Sequence, residues 1–178
     1  MDYKEIGFKC NFAFMDEKTG VVLKRRVDRN FTKWGLPLID LLNGMKIPGF
    51  DNYKISVVHA TEHRCGLKVS GDNLSFNITG ADPLKDNLKL RTVSAKDPNS
   101  KEAVFTASLV RGKMHIFIFF SPFKVNALSK EINKLLRSHP INLERAKQNL
   151  PVANILLLRG CGSRLSKIVQ KAQSYYDT

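Results

Sequence analysis

The run VANILLL at residues 152–158 is aliphatic at almost every position and stops on Arg159, ahead of Gly160, Cys161 and Gly162. So short an apolar run reads as a core strand. Core strands seldom finish on a bare cation, so Arg159 is expected to meet a bound anion or an acidic partner there. Residues 7–15 set a second constraint, because Phe8, Cys10, Phe12 and Phe14 alternate with Lys9, Asn11 and Ala13. That period of two marks a strand with one apolar face, which other elements must cover.

The rest of the chain supplies both hairpins and covering helices. Asp16 to Gly20 is turn chemistry, and residues 21–27 return as a strand whose far end carries Arg25, Arg26 and Arg29. Leu36, Ile39, Leu42 and Met45 stand at helical spacing, with Pro37 in a first turn and Gly44 near the end. Strand signals follow at 53–60, 65–69 and 74–78, the last two split by the hairpin punctuation Ser70-Gly71-Asp72-Asn73. Residues 80–100, rich in Asp, Pro, Asn, Lys and Ser, read as an extended or mobile loop. Residues 103–120 read as a hairpin around Arg111-Gly112-Lys113, and Ile116 to Phe120 is the most apolar run of the chain. Asn126 is placed to cap a helix with Leu128, Ile132, Leu135 and Leu136 on one face, stopped at Ser138-His139-Pro140. Residues 142–149 suit a short polar helix, and 163–175 a terminal one with Leu165, Ile168, Val169 and Ala172 on one side. The expected fold class is α/β with α+β character: one domain, a mixed sheet with hairpins, covered by helices.

Charge narrows the partners. With 29 Lys+Arg against 16 Asp+Glu, a formal charge of +13 suits nucleic acid, an anionic membrane face or phosphorylated metabolites. The three cysteines, Cys10, Cys65 and Cys161, lie far apart within or beside apolar stretches, which argues against a disulfide framework and for a reducing compartment. Cys/His pairs at zinc spacing, a targeting segment and a membrane-length apolar stretch are all missing from the sequence, so a cytoplasmic protein with no membrane partner is expected.

Catalytic patterns are missing too: there is no Gly-x-Ser-x-Gly elbow, His-Glu-x-x-His, phosphate-cradling loop or two-metal cluster of Asp and His. The phenylalanines alternate in strands instead of forming an RNA-recognition motif, so nucleic acid is not the expected partner. What remains is cationic. Lys24-Arg25-Arg26-Val27-Asp28-Arg29 offers guanidinium forks that match phosphate or carboxylate oxygens in pairs. On a strand Arg25 and Arg26 point to opposite sides, and a charge run at a hairpin end also serves simply as a solvated turn. His63-Arg64 sets a titratable ring beside a fixed cation, and Asp82-Pro83 is either a turn starter or an orienting carboxylate.

Several blocks, taken in order, resemble one family, the archaeal-type branch of the 2,3-bisphosphoglycerate-independent phosphoglycerate mutases. GFKCNFAFMDE resembles its FRCNFATVDE-like strand, KRRVDRN its DRRAGR-like turn, and EHRCGLKVSGDNLSFNITGADP its stretch from GHR to ITDTDP. LLRSHPINLERAKQNLPVANILLLRGCG resembles the family's helix, HPVN and LLLRGAG segments. The chain departs at Lys9, at Val27-Asp28, and at Leu84, where the family carries a histidine; the residues around 104–120 are extra, and the likeness stops at Ser163.

The resemblance implies an inserted substrate-binding transferase domain. The metallophosphatase domain of the alkaline-phosphatase type, with its nucleophile and two divalent metal ions of manganese or magnesium type, would lie outside this chain. The chain itself would then carry no catalytic residue, metal or cofactor, and would be inactive alone. Its partners would be phosphoglycerate and that missing domain, in the isomerisation of 3- to 2-phosphoglycerate in glycolysis and gluconeogenesis. Arg25, Arg26, Arg29, His63, Arg64, Asp82 and Arg159 are the candidate substrate or interdomain contacts, with Arg159 near the junction. The alternatives are a non-catalytic anion- or nucleic-acid-binding domain derived from this fold, and a regulatory paralogue docking through residues 116–120.

Overall fold

The alternation at residues 7–15 becomes the middle of β1 (Tyr3–Asp16) in the computed structural model, which describes residues 3–111 and 127–163. Then follow β2 (Val21–Lys24), α1 (Thr32–Leu42), β3 (Lys54–Thr61), β4 (Arg64–Leu74), β5 (Leu88–Lys89), α2 (Lys101–Arg111), α3 (Ala127–Arg137), α4 (Pro140–Lys147) and β6 (Ile155–Gly162). The strands form one six-stranded open sheet in the order β3-β4-β1-β2-β5, with β6 also on β1. Each pairing is antiparallel.

Strand periodicity decides which side chains enter the core. Ile6, Phe8, Cys10 and Phe12 of β1 share a buried cluster with Ile55, Val57, Cys65, Leu67, Val69, Leu156 and Leu158, and the helices lay Leu38, Leu42, Leu128, Ile132 and Leu136 on it. The opposite phase forms a smaller cluster at one end of the other face: Ala13, Met15, Val22, Ile155 and Leu157, with Leu90 against it. Residues 155–158 are therefore buried on both faces, which is why the sequence there is unbroken by polar residues. The three cysteines are unpaired.

Several expectations from the sequence change. Residues 103–111 form a helix, not a hairpin arm: Ala103, Thr106, Ala107 and Val110 recur at helical spacing and are buried, and Ser100 Oγ caps the start by accepting the Ala103 N–H at 3.2 Å. The proposed second arm, the 116–120 surface, the Asn126 cap and the terminal helix at 163–175, apart from Ser163 itself, lie outside the described residues. The turn expected at 70–73 is absent, because β4 runs on to Leu74 between β3 and β1, with Ser70 opposite both Lys54 and Glu5. The true hairpin turn is at 62–63, where Glu62 takes a left-handed φ of 52°. β2 stops at Lys24 rather than Val27, and Pro37 sits inside α1 rather than in its first turn. The short polar helix begins at Pro140, capped by His139, whose Nδ1 accepts the Ile141 N–H at 3.3 Å.

Residues 80–100 are extended but laid on the body of the fold. Ala81 donates to Leu158 O, Asn87 to Val22 O and Leu90 to Gly20 O, each at 2.8–3.0 Å. Ile78 and Ala95 form an isolated bridge. Turn-forming composition gave no sign of this, since the bonds run through backbone groups that any residue supplies.

Two buried asparagines hold the approach to β6. Asn142 Nδ2 donates to Leu136 O and Ala153 O, and its Oδ1 accepts the Ala153 N–H at 2.7 Å. Asn154 exchanges a matching pair with Met15, N–H to Oδ1 at 2.9 Å and Nδ2 to O at 2.8 Å. Replacing Asn142 with alanine strands buried carbonyls and an N–H, so a loss of about 2–4 kcal/mol in urea unfolding is expected; a loss under ~0.5 kcal/mol would show those bonds to be dispensable.

Candidate functional site

Arg159 leaves the core through a bulge in β6. Leu158 pairs with Cys10 and Arg159 with Lys9, but the next pair is Cys161 with Phe8, so Gly160 is the extra residue and takes a left-handed φ of 47°. The strand's alternation turns the side chain after the buried Leu158 to the face opposite the described helices. There it meets Asp82, with Arg159 Nε 2.7 Å from Oδ2.

Asp82 reaches that point because the backbone before it lies against β6. A Cβ on Gly80 would come within 2.8 Å of Leu158 O, so only glycine fits there, and the Ala81 N–H closes the contact on the same carbonyl at 2.9 Å. The buried carboxylate then accepts Arg25 Nε at 2.7 Å and Arg25 Nη2 at 2.8 Å, plus the Leu84 N–H at 2.8 Å. Two guanidiniums from opposite ends of the sequence thus share one carboxylate. Burial alone would raise the Asp82 pKa, but the Arg25 hydrogen bonds, the Leu84 N–H and the charges of Arg25 and Arg159 outweigh it and hold the carboxyl below its ordinary value. The Arg25 guanidinium is held above its ordinary value, chiefly by its bond to Asp82.

A second group of residues adjoins this one. Asn11, buried on the polar phase of β1, donates Nδ2 to Arg25 O at 3.4 Å and stands opposite Arg64 in the sheet. His63 is 1 % exposed, with Nδ1 3.1 Å from Asp28 O and Nε2 without a hydrogen-bond partner among the described residues. Burial lowers its pKa, and the charges of Arg64 and Arg26 lower it further against the pull of Asp28 O and Glu62, so the ring is neutral at pH 7. Arg26, Arg29 and Arg64 are exposed and form no ion pair among the described residues. Leu23, Lys24, Arg25, Arg26, Asp86 and Asn87 line an open pocket of about 430 Å³.

Of the seven residues chosen from sequence, then, Arg25, Asp82 and Arg159 are in direct contact, His63 lies within the field of Arg26 and Arg64, and Arg29 makes no recorded contact with the rest. His63 points inward at Asp28, not out at solvent. Lys9 and Asp28, named above only as departures from the family blocks, and Asn11 and Arg145 are not among the seven. Asn11 and Lys9 were legible as the polar phase of β1, whereas the burial of Arg145 had no local signal. Among the described residues, no group of three His, Cys, Asp or Glu side chains is placed to hold a metal ion, so the residues present do not fit a metal pair. No helix among them is long and apolar enough to cross a membrane.

The sequence profile of the 2,3-bisphosphoglycerate-independent phosphoglycerate mutases matches residues 1–118. An enzyme of that description from Methanococcus maripaludis is 37% identical over 158 residues, covering 89% of this chain and 34% of the relative. A Methanocaldococcus jannaschii relative described as mutase 1 is 33% identical over 177 residues, covering 98% of this chain and 38% of its own length. The chain therefore spans about a third of the length of the curated relatives it matches. The solved cofactor-independent phosphoglycerate mutase of Thermoplasma acidophilum superposes on 90% of this chain and 37% of its own, with a TM-score of 0.72 at 28% identity.

The Asp82 network carries a pH signature. A carboxyl whose folded pKa lies below its ordinary 3.8 contributes stability that is complete above that value and is lost as the pH falls through the lower folded value. Asp82→Asn is therefore expected to cost about 3 kcal/mol near neutrality, the scale for breaking a buried pair, with the gap to wild type closing only below pH 3.8. Unfolding curves for the two proteins across that range check it; a gap that closes at higher pH contradicts the assignment.

Proposed function

The chain belongs to the 2,3-bisphosphoglycerate-independent phosphoglycerate mutase family, and on that premise we propose that it is the substrate-binding domain of such an enzyme, holding phosphoglycerate by its charged groups. The observation that carries the reading is the cluster built on Asp82: a buried anion pairs with Arg25 and Arg159, and Arg26 and Arg64, exposed and without an ion-pair partner among the described residues, lie close enough to act on the adjoining His63. Two guanidiniums against one carboxylate leave a net positive charge. That suits a ligand with a phosphate at one end and a carboxylate at the other.

The roles divide by which nitrogens remain available. Arg25 spends Nε and Nη2 on Asp82 and acts mainly as a fixed wall of positive charge. Arg159 meets Asp82 as an ion pair through Nε, so its Nη groups would be left to meet ligand oxygens. Arg26 and Arg64 offer whole guanidinium forks to a phosphate or carboxylate. Asp82 orients arginines and repels no ligand, being covered by them, and neutral His63 supports the turn at Asp28. Arg29, exposed at the end of the same turn, supplies positive charge. Held in this way, the substrate is positioned and its charge is matched before any bond is made.

Bond making would fall to the metallophosphatase domain, within the length of the relatives that this chain does not span. The two divalent metals would belong to that domain. The 178-residue chain supplied with manganese is accordingly expected to show no mutase turnover above a metal-free control.

Calorimetry with 3-phosphoglycerate tests the binding role directly. Arg26→Ala and Arg64→Ala are each expected to weaken binding by about 1–3 kcal/mol with melting temperature unchanged, and lysine to recover only part. Unchanged affinity in both alanine variants would remove these residues from the site. The charge of +13 also suits a polyanion, and affinity for single-stranded oligonucleotide that exceeds that for 3-phosphoglycerate and falls steeply with salt would favour that rival reading.

A further inference from the structure

Among the described residues Arg145 is the largest side chain buried completely, at 0 % exposure, on a helix whose neighbouring residues are exposed. Its Nε donates to Pro151 O at 3.0 Å, its Nη2 lies 3.5 Å from Asp28 Oδ2, and its Nη1 has no hydrogen-bond partner among the described residues. The guanidinium stacks over Phe31 and Trp34, 5.0 and 5.6 Å from the ring centroids. Burial pushes its pKa down, and the bond to Asp28 offsets only part of that. Against the two ring contacts, one carbonyl and one long ion pair stands a buried Nη1 with no hydrogen bond, and an apolar side chain of the same volume often serves stability as well as a buried ion pair or better.

What the cation does hold is Asp28, from which the cationic turn hangs. The Asp28 carboxylate also accepts the Asn30 N–H at 3.1 Å, and its carbonyl faces His63 Nδ1 at 3.1 Å. Next to it Val27, buried, donates to Phe12 O at 3.0 Å and Phe31 packs on Phe12. Arg25, Arg26 and Arg29 lie on this same turn. We propose that Arg145 is a positioning residue: acting through Asp28, it fixes the 25–31 turn so that its arginines face the ligand together. The inference rests on the binding role proposed above, and its test has a readout that does not.

In the 178-residue chain, Arg145→Met keeps the volume and removes the charge, while Asp28→Asn loosens the same contact from a half-exposed position and leaves the core intact. Arg145→Met is expected to keep its melting temperature, and Asp28→Asn, which leaves the buried cation without its anion, to lower it; both are expected to weaken 3-phosphoglycerate binding on the order of tenfold, and to show less than additive loss when combined. Amide exchange without ligand should speed up at Val27 and Asn30 in both variants, and not in α3. Affinity falling only in proportion to melting temperature would make Arg145 a structural residue and overturn the proposal. So would wild-type exchange at Val27 and Asn30 in both variants. If wild type itself does not bind 3-phosphoglycerate, the binding role fails and the exchange rates alone decide the positioning role.

Discussion

The buried carboxylate of Asp82 lies between Arg25 and Arg159, and the cation-rich end of the molecule is organised around that contact. The three residues come from the end of β2, the extended segment after β4, and the bulge of β6, so no local sequence brings them together. Without the anion, two guanidiniums would face each other in a partly dehydrated space, where like charges repel more strongly than in water. With it, they become a fixed positive surface whose geometry is set before a ligand arrives. Each backbone device nearby serves that meeting: the glycine that lets residue 80 touch β6, the left-handed Gly160, and the Leu84 N–H on Asp82.

The sheet divides labour between its faces. One face is closed by helices and supplies the apolar burial that holds the fold, at roughly 1.5–3 kcal/mol for each large side chain removed from water. The other is covered at one end by the segment carrying Leu90 and presents Lys9, Arg64 and Arg159 at the other. The same alternation that drives Cys10 and Leu158 inward turns Lys9 and Arg159 outward. A binding surface on strands is stiffer than one on loops, which suits a ligand held by several charged contacts at once. The cationic turn at residues 25–31 lies off the sheet and is anchored from beneath by His63 and Arg145.

Much of this was legible where pattern and packing agree. The alternation in β1 and the aliphatic run of β6 gave strands, and Leu128, Ile132 and Leu136 gave a helix, because burial on one side leaves its period in the sequence. Arg159 at the end of an aliphatic run pointed to a bound anion or an acidic partner, and Asp82 is such a partner. The reading failed where tertiary contacts override local chemistry. Ser70-Gly71-Asp72-Asn73 has turn composition, yet pairing on both edges carries β4 straight through it. The buried small residues Ala103, Thr106 and Ala107 weaken the helical signal of α2, so Val104 and Phe105 passed for part of a strand. Arg145 reads as one more cation on a polar helix, and only its neighbours in space reveal it as buried.

The central claim is that an anionic substrate is received by the cations arranged around Asp82. The most direct measurement is the shift of the arginine Nε–Hε signals in nitrogen-15 spectra as 3-phosphoglycerate is added to the chain. The account expects the signals of Arg26, Arg64 and Arg159 to move together and saturably, with that of the buried Arg145 changing little. Shifts that never saturate, or that fall on Arg91 and Arg137 while those three stay still, would contradict it.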